Sequence, residues 1–270
     1  MTKEGVKCMK AKRIVIYVLC VLMFAVLFYV AYEIYKEKSI VPELEAEKRI
    51  DEFYETNIGD YMTVFDESAR FGDYTVTLER GYYNDITGVM AAIFDVQCDA
   101  MSEKNYQEIW NSFRQEYYLY LDTDVMEEEL SSSDLHVSYK DDSIKVAILL
   151  DGDRNNNKNA IYIAQRNNTD KSKTEFTIND EGEYVLYEVN YGNMYVTPFG
   201  AFIKGLAYDD IESLEIYMKD GSLVEAVSGS GSDGDKMFLL FERAINVDEV
   251  DYVIFNSVKY GKNVLNQSTN

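Results

Sequence analysis

The stretch of this sequence best suited to holding an ion is Asp151-Gly152-Asp153-Arg154-Asn155-Asn156-Asn157. Asp151, Asp153 and Asn155 stand at alternate positions, the spacing at which oxygen ligands converge on calcium when the backbone turns tightly. The pattern then departs from a calcium loop. Asn156 stands where glycine makes the sharp turn, Lys158 is a cation within the loop, and Tyr162 replaces the bidentate carboxylate. A polar hairpin loop accounts for the same residues. Weak calcium binding at Asp151, Asp153 and Asn155 is the metal expectation, and no other cofactor is expected.

Catalytic arrangements are harder to find. His136 is the only histidine, which excludes a two-histidine metal centre. In Leu135-His136-Val137-Ser138-Tyr139 it alternates with the apolar residues, so a solvent-facing strand position is expected. No G-x-S-x-G elbow accompanies it as a hydrolase triad would require. Ser228–Asp235 contains only Ser, Gly and Asp and reads as a flexible loop, since the Gly-Lys-Ser/Thr ending of a phosphate cradle is missing. Carboxylates are too abundant for any pair to single itself out as a glycosidase couple. The 23 tyrosines suit strand and core-edge positions or a stacking surface for sugar or peptide. No catalytic residue is expected, and the chain reads as a non-enzyme.

Charge narrows the partners. Of 26 basic and 48 acidic residues, seven and three fall in residues 1–38, leaving 19 and 45 in residues 39–270, a net −26. A domain that negative is repelled by nucleic acid and anionic headgroups, while cations and basic peptides are attracted. Of the three cysteines only Cys98 follows the apolar run, so no disulfide inside the domain is expected. A disulfide-free domain of this composition points to a Gram-positive bacterial surface.

The elements that must position these groups begin with Ile14–Tyr32, nineteen residues without a formal charge. As a helix it would span about 28 Å, close to a bilayer's hydrocarbon core. Its twelve Leu, Ile, Val and Phe residues favour insertion by about 4–7 kcal/mol. Five basic residues precede it, so the positive-inside rule places the N-terminus in the cytoplasm and the bulk outside the cell membrane. The run is longer than a signal-peptide core and ends in bulky residues, which argues for an uncleaved anchor. The expected order is a basic tail (1–13), a transmembrane helix (14–35), a juxtamembrane helical spacer (36–60), two β-sandwich domains (61–191 and 192–265) and a disordered tail (266–270). In the spacer, Pro42 suits a helix start and Ala46, Ile50, Phe53 and Tyr54 fall near one face.

Strand signals dominate from there. Tyr74, Val76 and Leu78 alternate with polar residues, Val89–Phe94 is apolar enough for a central strand, and Asp220-Gly221 marks a hairpin. Ser102 can cap a helix whose Tyr106, Ile109, Trp110 and Phe113 make one apolar stripe. Glu127-Glu128-Glu129 reads as an acidic connection. The fold class is mainly β, with one or two immunoglobulin-like sandwich lobes outside the membrane.

The segments YVTPFGAFIKG, IESLEIYMKDGSLVEAVSGSG and MFLLFERAINVDEVDYVIFNSVKYG, with the earlier FGDYTVTLERGYYND and VMAAIFDV, resemble a particular family. It is the uncharacterised immunoglobulin-like extracytoplasmic region of membrane-anchored, anti-sigma-factor-like proteins of Gram-positive bacteria. The resemblance covers residues 60–262 through loose motifs and implies binding or sensing of an envelope ligand or partner, linked to sigma/anti-sigma regulation. It transfers no catalytic residue. The family's inhibitors carry a cytoplasmic region that grips the sigma factor, and Met1–Arg13 is too short for one. The resemblance therefore implies a sensor or accessory half. A structural or adhesive surface protein is the alternative, and a wall hydrolase the third reading.

Overall fold

Val89–Phe94 is apolar without alternation, and such a run is stable only where both faces of a strand are covered. In the computed structural model it supplies most of β3 (Met90–Gln97), the middle strand of a five-stranded antiparallel sheet. The structure describes residues 58–122, 127–132, 134–150, 159–166, 173–179, 182–190, 192–205, 211–232 and 236–261, with Met23, Lys48, Phe53 and Tyr54. The chain divides into two units, Met1–Lys48 and Arg49–Asn270. Of the first, Met23 and Lys48 alone are described, both in helical geometry and exposed. The expected transmembrane helix and most of the juxtamembrane helix thus lie outside the described residues. Among the described residues no helix is long and apolar enough to cross a membrane.

The second unit is mainly β, as expected, and its sheets are antiparallel. The first sheet has the order β1 (Thr63–Phe71), β2 (Tyr74–Tyr83), β3, β7 (Ser143–Leu150), β6 (Leu135–Lys140). The second, of four strands, runs β5 (Glu127–Glu129), β4 (Tyr117–Asp122), β8 (Ala160–Gln165), β9 (Lys173–Thr177). Glu127–Glu129 is therefore an edge strand where the sequence suggested a connection. Exposed acids lack the alternation that marks a strand, yet backbone pairing with Tyr120–Asp122 is enough to form one.

The two sheets face each other across a shared core. Val76, Leu78, Phe94, Val96, Ile144 and Val146 come from the first, and Leu119, Leu121, Ile161, Ile163 and Phe176 from the second. Helix α1 (Tyr106–Glu116) plugs one end of that core with Phe113, while Tyr106, Ile109 and Trp110 flank it. Ser102 does not cap this helix. Asn105 precedes it, and its Oδ1 is taken by the amide and hydroxyl of Ser102, so neither side chain reaches the helix amides.

The remaining strands are β10 (Val185–Val189), β11 (Gly192–Val196), β12 (Gly200–Lys204), β13 (Leu214–Met218), β14 (Leu223–Ser232), β15 (Lys236–Phe241), β16 (Val250–Phe255) and β17 (Val258–Gly261). They form one eight-stranded sheet in the order β10-β11-β12-β15-β14-β13-β16-β17. β10 pairs with β11, so the strands of the two lobes divide between β9 and β10, ahead of residue 191. β14 serves both halves of the long sheet. Leu223–Glu225 pairs with β13, and Ala226 onward pairs with β15 after a register shift at Ala226/Ser228. The halves close on Tyr187, Met194, Ile203, Ile216, Val224, Val253 and Phe255.

The flexible loop expected at Ser228–Asp235 is corrected by β14, which continues to Ser232 opposite Lys236. Ser and Gly give no hydrophobic period, but a ladder needs only backbone groups, and the apolar run Met237–Phe241 supplies the partner. The hairpin at Asp220-Gly221 forms as read. Gly221 takes the left-handed φ of 86° and Asp220 Oδ1 accepts from the Ser222 amide at 2.8 Å.

A third apolar cluster joins the lobes. Tyr82, Val89, Ala91 and Ala147 of the first lobe meet Phe199, Phe202, Phe238 and Leu240 of the second. Phe53 and Tyr54, in helical geometry, enter this seam, and Phe53 is fully buried edge-on to Phe199. The crossing from β9 to β10 is tied down beside it. Asn84 Nδ2 donates to Gly182 O at 2.7 Å, Tyr82 Oη donates to Glu183 O at 2.8 Å, and the Gly182 amide reaches Tyr83 O. A Cβ on Gly182 would sit 2.2 Å from the Tyr82 ring, so only glycine fits there.

Candidate functional site

Beyond the seam, the outer face of the first sheet carries an open cleft of about 610 Å³. Its floor follows from strand register. Residues two apart on a strand share a face, and directly opposed residues form rows across the sheet. One row is Ser68, Thr77, Asp95, Lys145 and Ser138, crossing all five strands. The next is Val64, Arg80, Ile93, Ala147 and His136. A polar row therefore lies beside a mixed one, which sets Arg80 and His136 among Val64, Ile93 and Ala147, and all of these residues but Ser68 line the cleft.

Lys145 is the centre of the polar row. Its Nζ lies 2.6 Å from Glu79 Oε1 and 3.1 Å from Asp95 Oδ1. Burial by itself would pull this ammonium's pKa down, but the contacts to Glu79 and Asp95 outweigh it and hold it above the usual lysine range. Asp95 is only 5% exposed. Its Oδ2 accepts from Gln97 Nε2 at 2.6 Å, while Oδ1 meets Lys145 as an ion pair off the hydrogen-bond line. Both carboxylates share one lysine, so neither is presented as an independent acid or base.

The walls come from the chain that precedes β1. Arg80 Nη1 donates to Gly59 O at 2.8 Å, fixing the 3-10 turn Ile58–Tyr61 against β2. Tyr54 stacks on the His136 ring with centroids 4.9 Å apart and planes 12° from parallel. Burial first, and the nearby Asp134 charge second, push the Tyr54 phenol up to about 12. His136 does lie on the face away from the core, as its alternation suggests. It is half-buried beneath Tyr54 and not open to solvent, because a residue distant in sequence covers it. The far rim holds the two-residue turn Asp141-Asp142, both at positive φ, joining β6 to β7.

The candidate calcium ligands Asp151, Asp153 and Asn155 lie outside the described residues. Among the described residues no three His, Cys, Asp or Glu side chains gather as metal ligands would. Cys98 is a free thiol. Sequence reasoning passed over Glu79, Asp95 and Lys145. The available signal was Asp95, a lone acid interrupting the apolar run of β3.

No family model matches the chain, and no curated protein matches it. Similarity assigns no family. A solved structure, the crystal structure of the conserved domain protein from Bacillus anthracis, aligns over 74% of this chain and 78% of that one. The identity is 12% and the TM-score 0.35, a likeness too loose to carry any argument.

Proposed function

We propose that this chain is a non-enzymatic binding or sensing module, held outside the cell membrane by the span at Ile14–Tyr32, that takes an envelope ligand or partner in the cleft over the first sheet. The observation that carries the reading is the place of Tyr54. Phe53 and Tyr54 follow the segment leading from the apolar run; Phe53 fills the seam between the lobes, and Tyr54 walls the cleft. A ligand in the cleft therefore meets the membrane-side chain directly. On this reading the two lobes are immunoglobulin-like sandwiches. The link to sigma/anti-sigma regulation rests on the sequence resemblance alone.

Two measurements test it. In intact cells expressing the full chain with its free thiol removed (Cys98→Ser), a membrane-impermeant maleimide is expected to label a cysteine placed at exposed Ile86 (Ile86→Cys), and Cys8 only after permeabilisation. Protection of Ile86→Cys in intact cells would overturn the extracytoplasmic placement. Envelope extract is expected to raise the melting temperature of the full chain, and Asp95→Asn to abolish the rise. An equal rise in that variant would remove the cleft from the reading.

A further inference from the structure

We propose that Phe53, Tyr54 and Ile58–Met62 form a releasable strap that locks the two lobes together, and that its undocking opens the seam while both lobe cores stay folded. Such a strap works whether or not the cleft is filled.

Packing sets the strap apart. Phe53, Ile58 and Met62 are buried, and all three belong to the apolar cluster between the lobes. None of them enters the core of either lobe. Two successive residues grip opposite lobes: Phe53 stands edge-on to Phe199 of the second, and Tyr54 lies on His136 of the first. Phe199 in turn meets Tyr82 edge-on at 4.8 Å, so one run of aromatic contacts passes from the strap through both lobes. Removing the strap strips apolar cover from the seam and takes nothing from the two cores. Beside Met62 the seam is incompletely filled, with an open space of about 340 Å³ lined by Tyr82, Pro198 and Val247 among others. A region with few buried apolar contacts opens before a well-packed core does.

Connectivity decides what releases it. The strap is where the chain coming from Ile14–Tyr32 first packs against the lobes. Among the described residues its backbone joins no strand ladder; the bond from Arg80 Nη1 to Gly59 O and the side chains above hold it in place. β1 follows at once and is bound to β2 along a ladder from Thr63 to Phe71. A pull arriving along the chain loads the strap before that ladder, and a few side-chain contacts yield before a paired strand does.

The test is thiol accessibility on the full chain in detergent micelles, with Cys8, Cys20 and Cys98 replaced by alanine. Ala91 and Ala92 are neighbours on β3, both fully buried, one facing the seam and the other the core of the first lobe. Single cysteines are placed at these two positions, at Ala244 on the second-lobe side of the seam, and at Met62 on the strap. Dithiobisnitrobenzoate is expected to reach Met62→Cys, Ala91→Cys and Ala244→Cys at one shared rate, at least about tenfold faster than Ala92→Cys. Phe53→Ala is expected to raise the shared rate about a hundredfold. Should that variant fail to fold, Phe53→Leu takes its place with a smaller rise at the same three positions. Phe176→Ala, in the core of the first lobe, is expected to speed Ala92→Cys and leave the other three unchanged. Equal rates at Ala91→Cys and Ala92→Cys would overturn the proposal, since the seam would then open only with the core. Labelling of Met62→Cys while Ala91→Cys and Ala244→Cys stay protected would overturn it too, because the strap would peel without unlocking the lobes. Seam rates unchanged by either Phe53 variant, or raised by Phe176→Ala as much as Ala92→Cys, would do the same.

Discussion

One face of the first sheet is two surfaces. Toward one end of its strands, Tyr82, Ala91 and Leu149 lie side by side and pack against the second lobe. Toward the other, Thr77, Asp95, Lys145 and Ser138 lie side by side and face the cleft. The same three strands, β2, β3 and β7, supply both ends, with Ile93 and Ala147 between. The chemistry changes over two rows because the neighbour changes. A second apolar sheet meets the first end, where a charged group would stay desolvated; water reaches the other, where Lys145 keeps its charge by pairing twice. The lesson is that alternation along a strand says which face a residue takes, while its position along the strand decides what that face meets.

The contrast can be broken by substitution. The largest effect is expected at the seam. Phe53→Ala removes a fully buried ring between the lobes and should cost about 3–5 kcal/mol in denaturant unfolding. A loss under about 1 kcal/mol would mean the seam is not a shared core. Lys145→Met in the cleft should cost less, about 1–3 kcal/mol, because breaking a buried pair is discounted where Glu79 is 35% exposed. A cost above that of Phe53→Ala would reverse the comparison.

Tyr54 touches both surfaces, and its response to pH sharpens the boundary. Its folded pKa of about 12 lies above the unfolded value near 10. The stability it contributes is therefore fully present below about 10 and lost as pH rises through about 12. Lys145, also raised, acts in the same direction. Alkaline unfolding of Tyr54→Phe should be less steep over that window than that of the unsubstituted chain, and coincident curves would show the phenol to be open to water. The smallest effect belongs to Ser138→Ala at the end of the polar row, expected within about 0.5 kcal/mol of the parent in the same unfolding assay.

Much of the fold was legible because it rests on period. Val76 and Leu78 alternate and face the core, and the Phe113 stripe makes a helix that packs as core. What escaped had weak side-chain signals. β1 is exposed along most of its length, β5 is acidic, and the end of β14 is Ser and Gly. Each is held as strand by its partner's backbone. The cleft escaped for a related reason. Glu79, Asp95 and Lys145 are scattered along the sequence among many other acids and lysines, and nothing local marks them as a set.

By itself the sequence determined the apolar run at Ile14–Tyr32, the strongly acidic remainder and a mainly β class, because composition and short-range periodicity carry that information. Tertiary structure alone decided that Tyr54 covers His136, that Phe53 enters the seam between the lobes, and that Lys145 bridges Glu79 and Asp95. The physical reason is register. The antiparallel ladder sets residues of β2, β3 and β7 opposite one another, and no local pattern fixes which residues will meet.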